Sequence, residues 1–95
     1  MASEPAWQFL TNYGLALLCI ARDPGVRLRD IADRLGITER AAHRIVSALV
    51  GAGYVARERV GRRNTYELLE ALPIRALERD VRLGELIGVI DQPRA

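Results

Sequence analysis

Cysteine, lysine and long apolar runs are scarce or missing in this sequence of 95 residues. The single cysteine, Cys19, excludes an internal disulfide and a metal site built from several cysteines, and it is compatible with a reducing compartment. The longest apolar run, residues 14–21, is far shorter than the roughly 20 residues that cross a bilayer. No signal peptide with a basic start precedes it, so we expect a cytoplasmic protein without a membrane segment.

The sequence also lacks the size and the motifs that are typical of an enzyme. Its hydrophobic fraction of 49% and charged fraction of 27% are typical of one globular domain. A domain of this size buries only about 60–65% of its unfolded surface, which disfavours a deep, enclosed active site. The sequence shows no nucleophile paired with a base, no glycine-rich phosphate loop and no paired catalytic carboxylates. We therefore expect neither an enzyme nor a cofactor.

All 14 basic residues are arginines, and they are concentrated in the middle of the chain. Residues 27–63 carry nine arginines against four acidic residues, a net charge of +5, whereas residues 1–26 and 64–95 carry −1 and −2. A concentrated basic segment favours a polyanionic partner. A solvated charged surface would give the same pattern, so charge alone leaves both interpretations open.

Hydrophobic periodicity and cap signals predict four helices and a hairpin. Pro5 suits the first turn of a helix, Gly36 suits a left-handed position after one, and Thr38 suits a cap before one. The predicted elements are a helix over 6–22, a short strand over 26–28, helices over 30–35 and 39–52, strands over 54–60 and 65–69 around a turn at 61–64, and a last helix over 81–91.

The order of these elements is that of a winged helix-turn-helix, an α+β and mostly helical fold, here with an extra C-terminal helix. Ala32 is small enough for two helices to cross there, and Gly36 allows the turn between them. The helix after the turn faces back with apolar residues at helical spacing, namely Ala42, Ile45, Val46 and Leu49. Residues 28–50, the Gly53-Tyr54-Val55 exit and the basic wing up to Tyr66 resemble regulators of the MarR and ArsR type, and the resemblance covers about residues 6–69.

This resemblance implies a homodimeric bacterial transcription regulator. Full MarR-type chains are longer, with extended terminal helices that form the dimer and a ligand pocket. Sensors of the ArsR type hold metals with paired cysteines or sets of His and Asp, whereas this chain has only Cys19 and His43. Metal sensing is therefore disfavoured, and the sequence names no small-molecule effector.

The third helix and the wing supply the candidate contacts to double-stranded DNA. A helix fits the major groove, where the arginines at 40 and 44 can bind guanine or adjacent phosphates. The arginines at 62 and 63 would enter the minor groove or clamp the backbone, although they could also only keep an exposed hairpin soluble. The candidate DNA contacts are Arg29, Thr38, Arg40, His43, Arg44, Ser47, Arg62, Arg63 and Asn64.

The first and last helices carry more apolar surface than one small core needs, which predicts a homodimer. The candidate interface residues are Trp7, Leu10, Leu83, Leu86, Ile87 and Ile90. We expect residues 1–72 to form the DNA-binding domain and residues 73–95 a short dimerisation extension. Two alternatives stay open at this point: a monomer whose last helix folds onto its own first helix, and a winged-helix module that binds a protein instead of DNA.

Overall fold

The computed structural model describes residues 8–90, which form the predicted α+β winged helix with an added C-terminal helix. Its helices and strands follow the order α-α-α-β-β-β-β-α, and the four strands form two separate antiparallel hairpins, the first strand with the second and the third with the fourth. The elements are α1 (Asn12–Arg22), α2 (Leu28–Leu35), α3 (Glu39–Gly51), β1 (Val55–Val60), β2 (Arg63–Leu68), β3 (Pro73–Ala76), β4 (Arg79–Arg82) and α4 (Leu83–Ile90).

The first helix begins later than the sequence pattern indicates. Thr11 is extended, and its hydroxyl oxygen accepts a hydrogen bond from the Gly14 backbone N–H at 3.3 Å, so that the helix begins at Asn12. The prediction that residues 8–11 are helical is therefore wrong, because a threonine cap competes with continued helix. The start signal around Pro5 lies outside the described residues.

The helix-turn-helix forms as predicted. Gly36 has a φ of +69° after α2, and the Ile37 N–H donates to the Ala32 carbonyl at 3.0 Å, which satisfies the helix end. Thr38 then caps α3, since its hydroxyl oxygen accepts from the Ala41 N–H at 3.0 Å. These contacts fix the angle at which α3 leaves the turn.

The last helix was expected to contribute its apolar residues to a dimer interface, but α4 also contributes to the core. The most deeply buried large side chains are Ile20, Ile31, Val46, Val55 and Leu83. Each of the four helices contributes one of them, and Val55 comes from β1. Cys19 is buried among them, as expected for a small core residue. The winged helix and its C-terminal extension thus share one core.

The segment 26–28 does not form the predicted strand. Val26 is buried in the core, and α2 already begins at Leu28. The loop before α2 is instead joined to β2 by a backbone hydrogen bond, in which the Tyr66 N–H donates to the Pro24 carbonyl at 2.9 Å. Only two residues of this segment precede α2, which is too few to make a strand, yet the loop still covers this edge of β2.

The hairpin of β1 and β2, which we call the wing, is tighter than predicted. Val60 pairs with Arg63, which leaves only Gly61 and Arg62 in the turn. Gly61 has a φ of +64°, and a glycine with positive φ at the first of two turn residues is typical of a type II′ hairpin. Arg63 and Asn64 therefore lie on β2 and not at the tip.

A second hairpin, β3–β4, was not predicted, and it takes up residues assigned to the last helix. Ile74 pairs with Val81, so the helix begins at Leu83 and not at 81. The backbone N–H of Arg82 donates to the Glu85 carboxylate at 3.2 Å, and this hydrogen bond, with the Arg82 guanidinium, lowers the pKa of Glu85. The N–H groups of Leu83 and Gly84 donate to the carbonyls of Leu72 and Glu70 at 2.8 and 2.9 Å, which docks α4 on the preceding turn.

We expect Gly84→Ala to destabilise the fold and Gly88→Ala to stabilise it. A Cβ at position 84 would lie 2.9 Å from the Glu70 Cβ, so the docked turn must move, at a cost of about 1–3 kcal/mol. A Cβ at position 88 meets nothing within 4 Å, so alanine there gains helix propensity of up to about 1 kcal/mol. Urea denaturation of both variants measures the two shifts. Equal shifts of the midpoint would contradict the close docking of α4.

Candidate nucleic-acid interface

The exposed side of α3 carries the polar residues that the sequence assigned to it. Arg40, His43 and Arg44 are exposed and Ser47 is half-buried, whereas the apolar residues of the same helix face the core. Arg44 borders a surface hollow beside Ile37 and the start of α1. The predicted division of this helix into an apolar inner face and a polar outer face is therefore confirmed.

Four of the candidate arginines have no partner in the described part of the chain. Within residues 8–90, the side chains of Arg29, Arg40, Arg44 and Arg62 are engaged in neither a hydrogen bond nor an ion pair. All four are exposed, so their guanidinium groups keep five N–H donors each for another molecule. Such a set of free positive charges suits a partner with many negative charges.

The wing and the two helices of the motif border one cleft of about 440 Å³. Arg62, Arg63 and Asn64 line it from the wing, and Arg27 and Arg29 line it from the start of α2. The cleft also reaches the first turn of α3. The structure therefore brings the wing arginines and Arg29 together at the end of the helix that carries Arg40 and Arg44.

The two wing arginines differ in their surroundings. Arg62 stands in the exposed turn, as expected. Arg63 instead donates from Nη2 to the Gly25 carbonyl oxygen at 2.7 Å, a hydrogen bond between residues 38 positions apart. The prediction that both arginines stand at the tip is wrong, because the turn has two residues and not four. Arg63 ties the wing to the loop between α1 and α2.

The comparison with protein families agrees with this geometry. A family model described as the MarR family matches residues 9–63, from the start of the described chain into the wing. The chain belongs to the MarR family. The predicted resemblance to a MarR-type winged-helix regulator is thus confirmed, and the match favours this family over the ArsR type.

A solved structure is similar to this MarR-family chain. The structure is from Lactobacillus plantarum and is described as that of a candidate transcriptional regulator, with 27% sequence identity and a TM-score of 0.46. The alignment covers 87% of this chain and 54% of the other. The chain therefore spans about half the length of that protein. The search of curated proteins found no match.

The structure shows the surroundings of three further polar residues near the arginines, Thr38, Asn64 and Glu39. The Thr38 hydroxyl oxygen already accepts one hydrogen bond in the α3 cap, and its O–H group can still donate to a phosphate. Asn64 is half-buried on β2, opposite Arg59 on β1. Glu39 is an exposed carboxylate that lines the arginine cleft. Glu39 is not among the candidates predicted from the sequence, although its place next to the Thr38 cap could have put it there.

The residues expected at a dimer interface divide into two groups. Leu83 and Ile87 are buried in the core of their own chain. The expectation that they face a partner subunit is therefore wrong for two of the four interface candidates on the last helix. Leu86 and Ile90 are each 41% exposed and, with Leu10, line an apolar groove of about 400 Å³ between α1 and α4. Trp7 lies outside the described residues.

The described residues offer neither a metal centre nor a membrane helix. Between residues 8 and 90, no three side chains of the His, Cys, Asp or Glu type are grouped so that they could hold a metal ion. None of the helices in that range is long and apolar enough to span a bilayer.

Proposed function

We propose that this chain is a transcriptional regulator that binds double-stranded DNA sequence-specifically. One observation carries the proposal: on a MarR-family fold, the helix-turn-helix and the wing carry exposed arginines that are unpartnered within residues 8–90, namely Arg29, Arg40, Arg44 and Arg62. Phosphates are the partners that such guanidinium groups bind best, because each group can donate to two oxygens of one anion.

The surface suggests a division of labour between base contacts and phosphate contacts. A recognition helix enters the major groove of B-DNA, where arginine binds guanine O6 and N7 with two hydrogen bonds. Arg40 and Arg44 are our candidates for this base readout, because they are one turn apart on the exposed side of α3. Arg29 and Arg62, which line the cleft, are our candidates for contacts to phosphates or to the minor groove.

The proposed regulator acts as a homodimer through the apolar groove between α1 and α4. Leu86, Ile90 and Val89 of α4 expose 41%, 41% and 75% of their surface, and Tyr13 of α1 exposes half. A contiguous apolar patch of this kind is a common mark of a protein interface. Two-fold pairing would place two α3 helices on half-sites one DNA turn apart, about 34–36 Å. In this proposal residues 1–72 bind DNA and the extension from 73 onward supports the dimer.

The experiment that tests DNA binding is selection of genomic duplex fragments, followed by titration at several salt concentrations. Binding that neutralises phosphates weakens steeply with salt, whereas an apolar protein interface does not. If no duplex is retained at low salt, the proposal of DNA binding fails. A salt-insensitive protein partner on the same surface would then favour the alternative, a winged-helix interaction module.

The wing arginines should respond differently in these titrations. Arg62→Ala should weaken binding to all duplexes and reduce the slope of log K against log salt by about 0.9 for each phosphate that the variant no longer neutralises. Arg63→Ala should weaken binding with a smaller change of slope, because Arg63 already donates to the Gly25 carbonyl. Arg75→Ala, an exposed arginine on β3, is the control of equal charge. If the slope of log K against log salt is unchanged in Arg62→Ala, the wing tip does not contact DNA phosphates.

A further inference from the structure

Among residues 8–90, Glu39 is the one acidic side chain that lines the arginine cleft. The other ionisable groups in its lining are the guanidinium groups of Arg27, Arg29, Arg62 and Arg63, together with the Tyr66 phenol. Although these positive charges are close, the Glu39 carboxylate forms no ion pair or hydrogen bond within the described residues. It is exposed, and it stands at the first position of α3. The carboxylate is thus free to meet whatever occupies the cleft.

The chemistry of a carboxylate limits what it can contact on DNA. An ionised carboxylate only accepts hydrogen bonds, so it repels phosphate oxygens and the acceptor atoms of guanine and of thymine. In the major groove, the donors are the N4 amino group of cytosine and the N6 amino group of adenine. Adenine also presents the N7 acceptor beside its amino group. This N7 atom would face the second carboxylate oxygen, and two acceptors repel each other. Cytosine is therefore the base that suits a glutamate best.

We propose that Glu39 is a specificity-determining residue whose carboxylate accepts a hydrogen bond from the N4 amino group of a cytosine in each half-site. This inference rests on the proposed function, and it names the base that one residue selects. The N-terminal residues of a recognition helix are the ones that contact base edges, and Glu39 is the first residue of α3. Next to it, Arg40 offers the donors that Glu39 lacks.

The test compares the duplexes that the full chain and three variants select from a random library. The full chain should prefer cytosine at one position of each half-site by roughly 5- to 150-fold over the other bases. Glu39→Gln should move this preference to adenine, because glutamine both donates and accepts and so matches adenine N6 and N7. Glu39→Asp keeps the carboxylate and should keep the preference for cytosine at reduced strength.

Asp30→Asn is the matched control. It removes one negative charge from the first turn of α2, outside the lining of the cleft, so that it reproduces the charge change without the proposed contact. Asp30→Asn should leave the selected base unchanged. Thermal unfolding followed by circular dichroism verifies that each variant is folded, since an acidic residue at a helix start also stabilises the helix.

Two results would overturn the inference while DNA binding stands. If Glu39→Gln binds all sequences more tightly with the same base preference, the carboxylate only repels the backbone. If Glu39→Gln weakens binding to all sequences equally, the carboxylate positions the neighbouring arginines. Failure of the full chain to select any duplex is a different outcome, because it rejects the proposed function itself.

Discussion

Replacing Arg44 with alanine is expected to relax base preference at one position of each half-site and to weaken binding to the preferred duplex by roughly 1–3 kcal/mol per half-site. The physical reason is the removal of a guanidinium that we expect to donate two parallel hydrogen bonds to guanine and that has no competing partner within residues 8–90. Arg40→Ala should act in the same way at a different base position. Selection from a random library, followed by titration with the wild-type site, measures both effects.

Arg75→Ala again controls for the removal of one positive charge, because β3 lies outside the proposed interface. An equal decrease of affinity for every sequence in Arg44→Ala would make Arg44 a phosphate contact. If neither Arg40→Ala nor Arg44→Ala changed DNA binding, the assignment of α3 as the recognition helix would be wrong.

The combined substitution of Leu86 and Ile90 by glutamate should convert the proposed dimer to a monomer. Sedimentation equilibrium should then report the chain mass of 10.6 kDa in place of twice that value. DNA binding should weaken on the order of 10²- to 10⁴-fold, because linking two half-site contacts raises avidity by this factor. The fold should persist, since Leu83 and Ile87, which hold α4 in the core, are unchanged.

Point substitutions are needed here because truncation after Leu72 would remove core residues together with the interface. Leu77→Glu provides the control, since Leu77 is 93% exposed at the β3–β4 turn and lies outside the groove. The idea of a dimer is defeated if the full chain sediments as a monomer at micromolar concentration. A variant that stays dimeric would place the interface elsewhere.

The parts of the fold that sequence pattern predicts are those that local chemistry controls. Gly36 and Thr38 fix the helix-turn-helix through one left-handed residue and one side-chain cap, and both are visible in the sequence. The start of α1 was predicted too early because the apolar pattern already begins before Thr11. The helix itself begins only after Thr11, whose hydroxyl caps it.

The β3–β4 hairpin was missed for a different reason. Only Ile74 and Val81 give it an alternating apolar pattern, and Pro73 reads as a strand breaker. The hairpin is stabilised by the helix that follows it and docks on residues 70–72, a contact between distant parts of the chain. No local signal in residues 73–82 records that contact.

The candidate site shows the same division between local and distant information. The exposed face of α3 follows from a 3.6-residue period, so its arginines were placed correctly. The different roles of Arg62 and Arg63 depend on the length of the turn and on a carbonyl 38 residues away. Two adjacent arginines are equivalent in a sequence until the register of the hairpin separates them.

The loop between α1 and α2 holds the wing at two successive residues. The Pro24 carbonyl accepts from the Tyr66 N–H, and the Gly25 carbonyl accepts from Arg63. One inserted residue lengthens a chain by up to about 3.8 Å, which is more than the reach of either hydrogen bond. Surface loops usually tolerate such insertions. We expect this loop, in contrast, not to tolerate a change of length, since an insertion or deletion would break the two hydrogen bonds that hold β2.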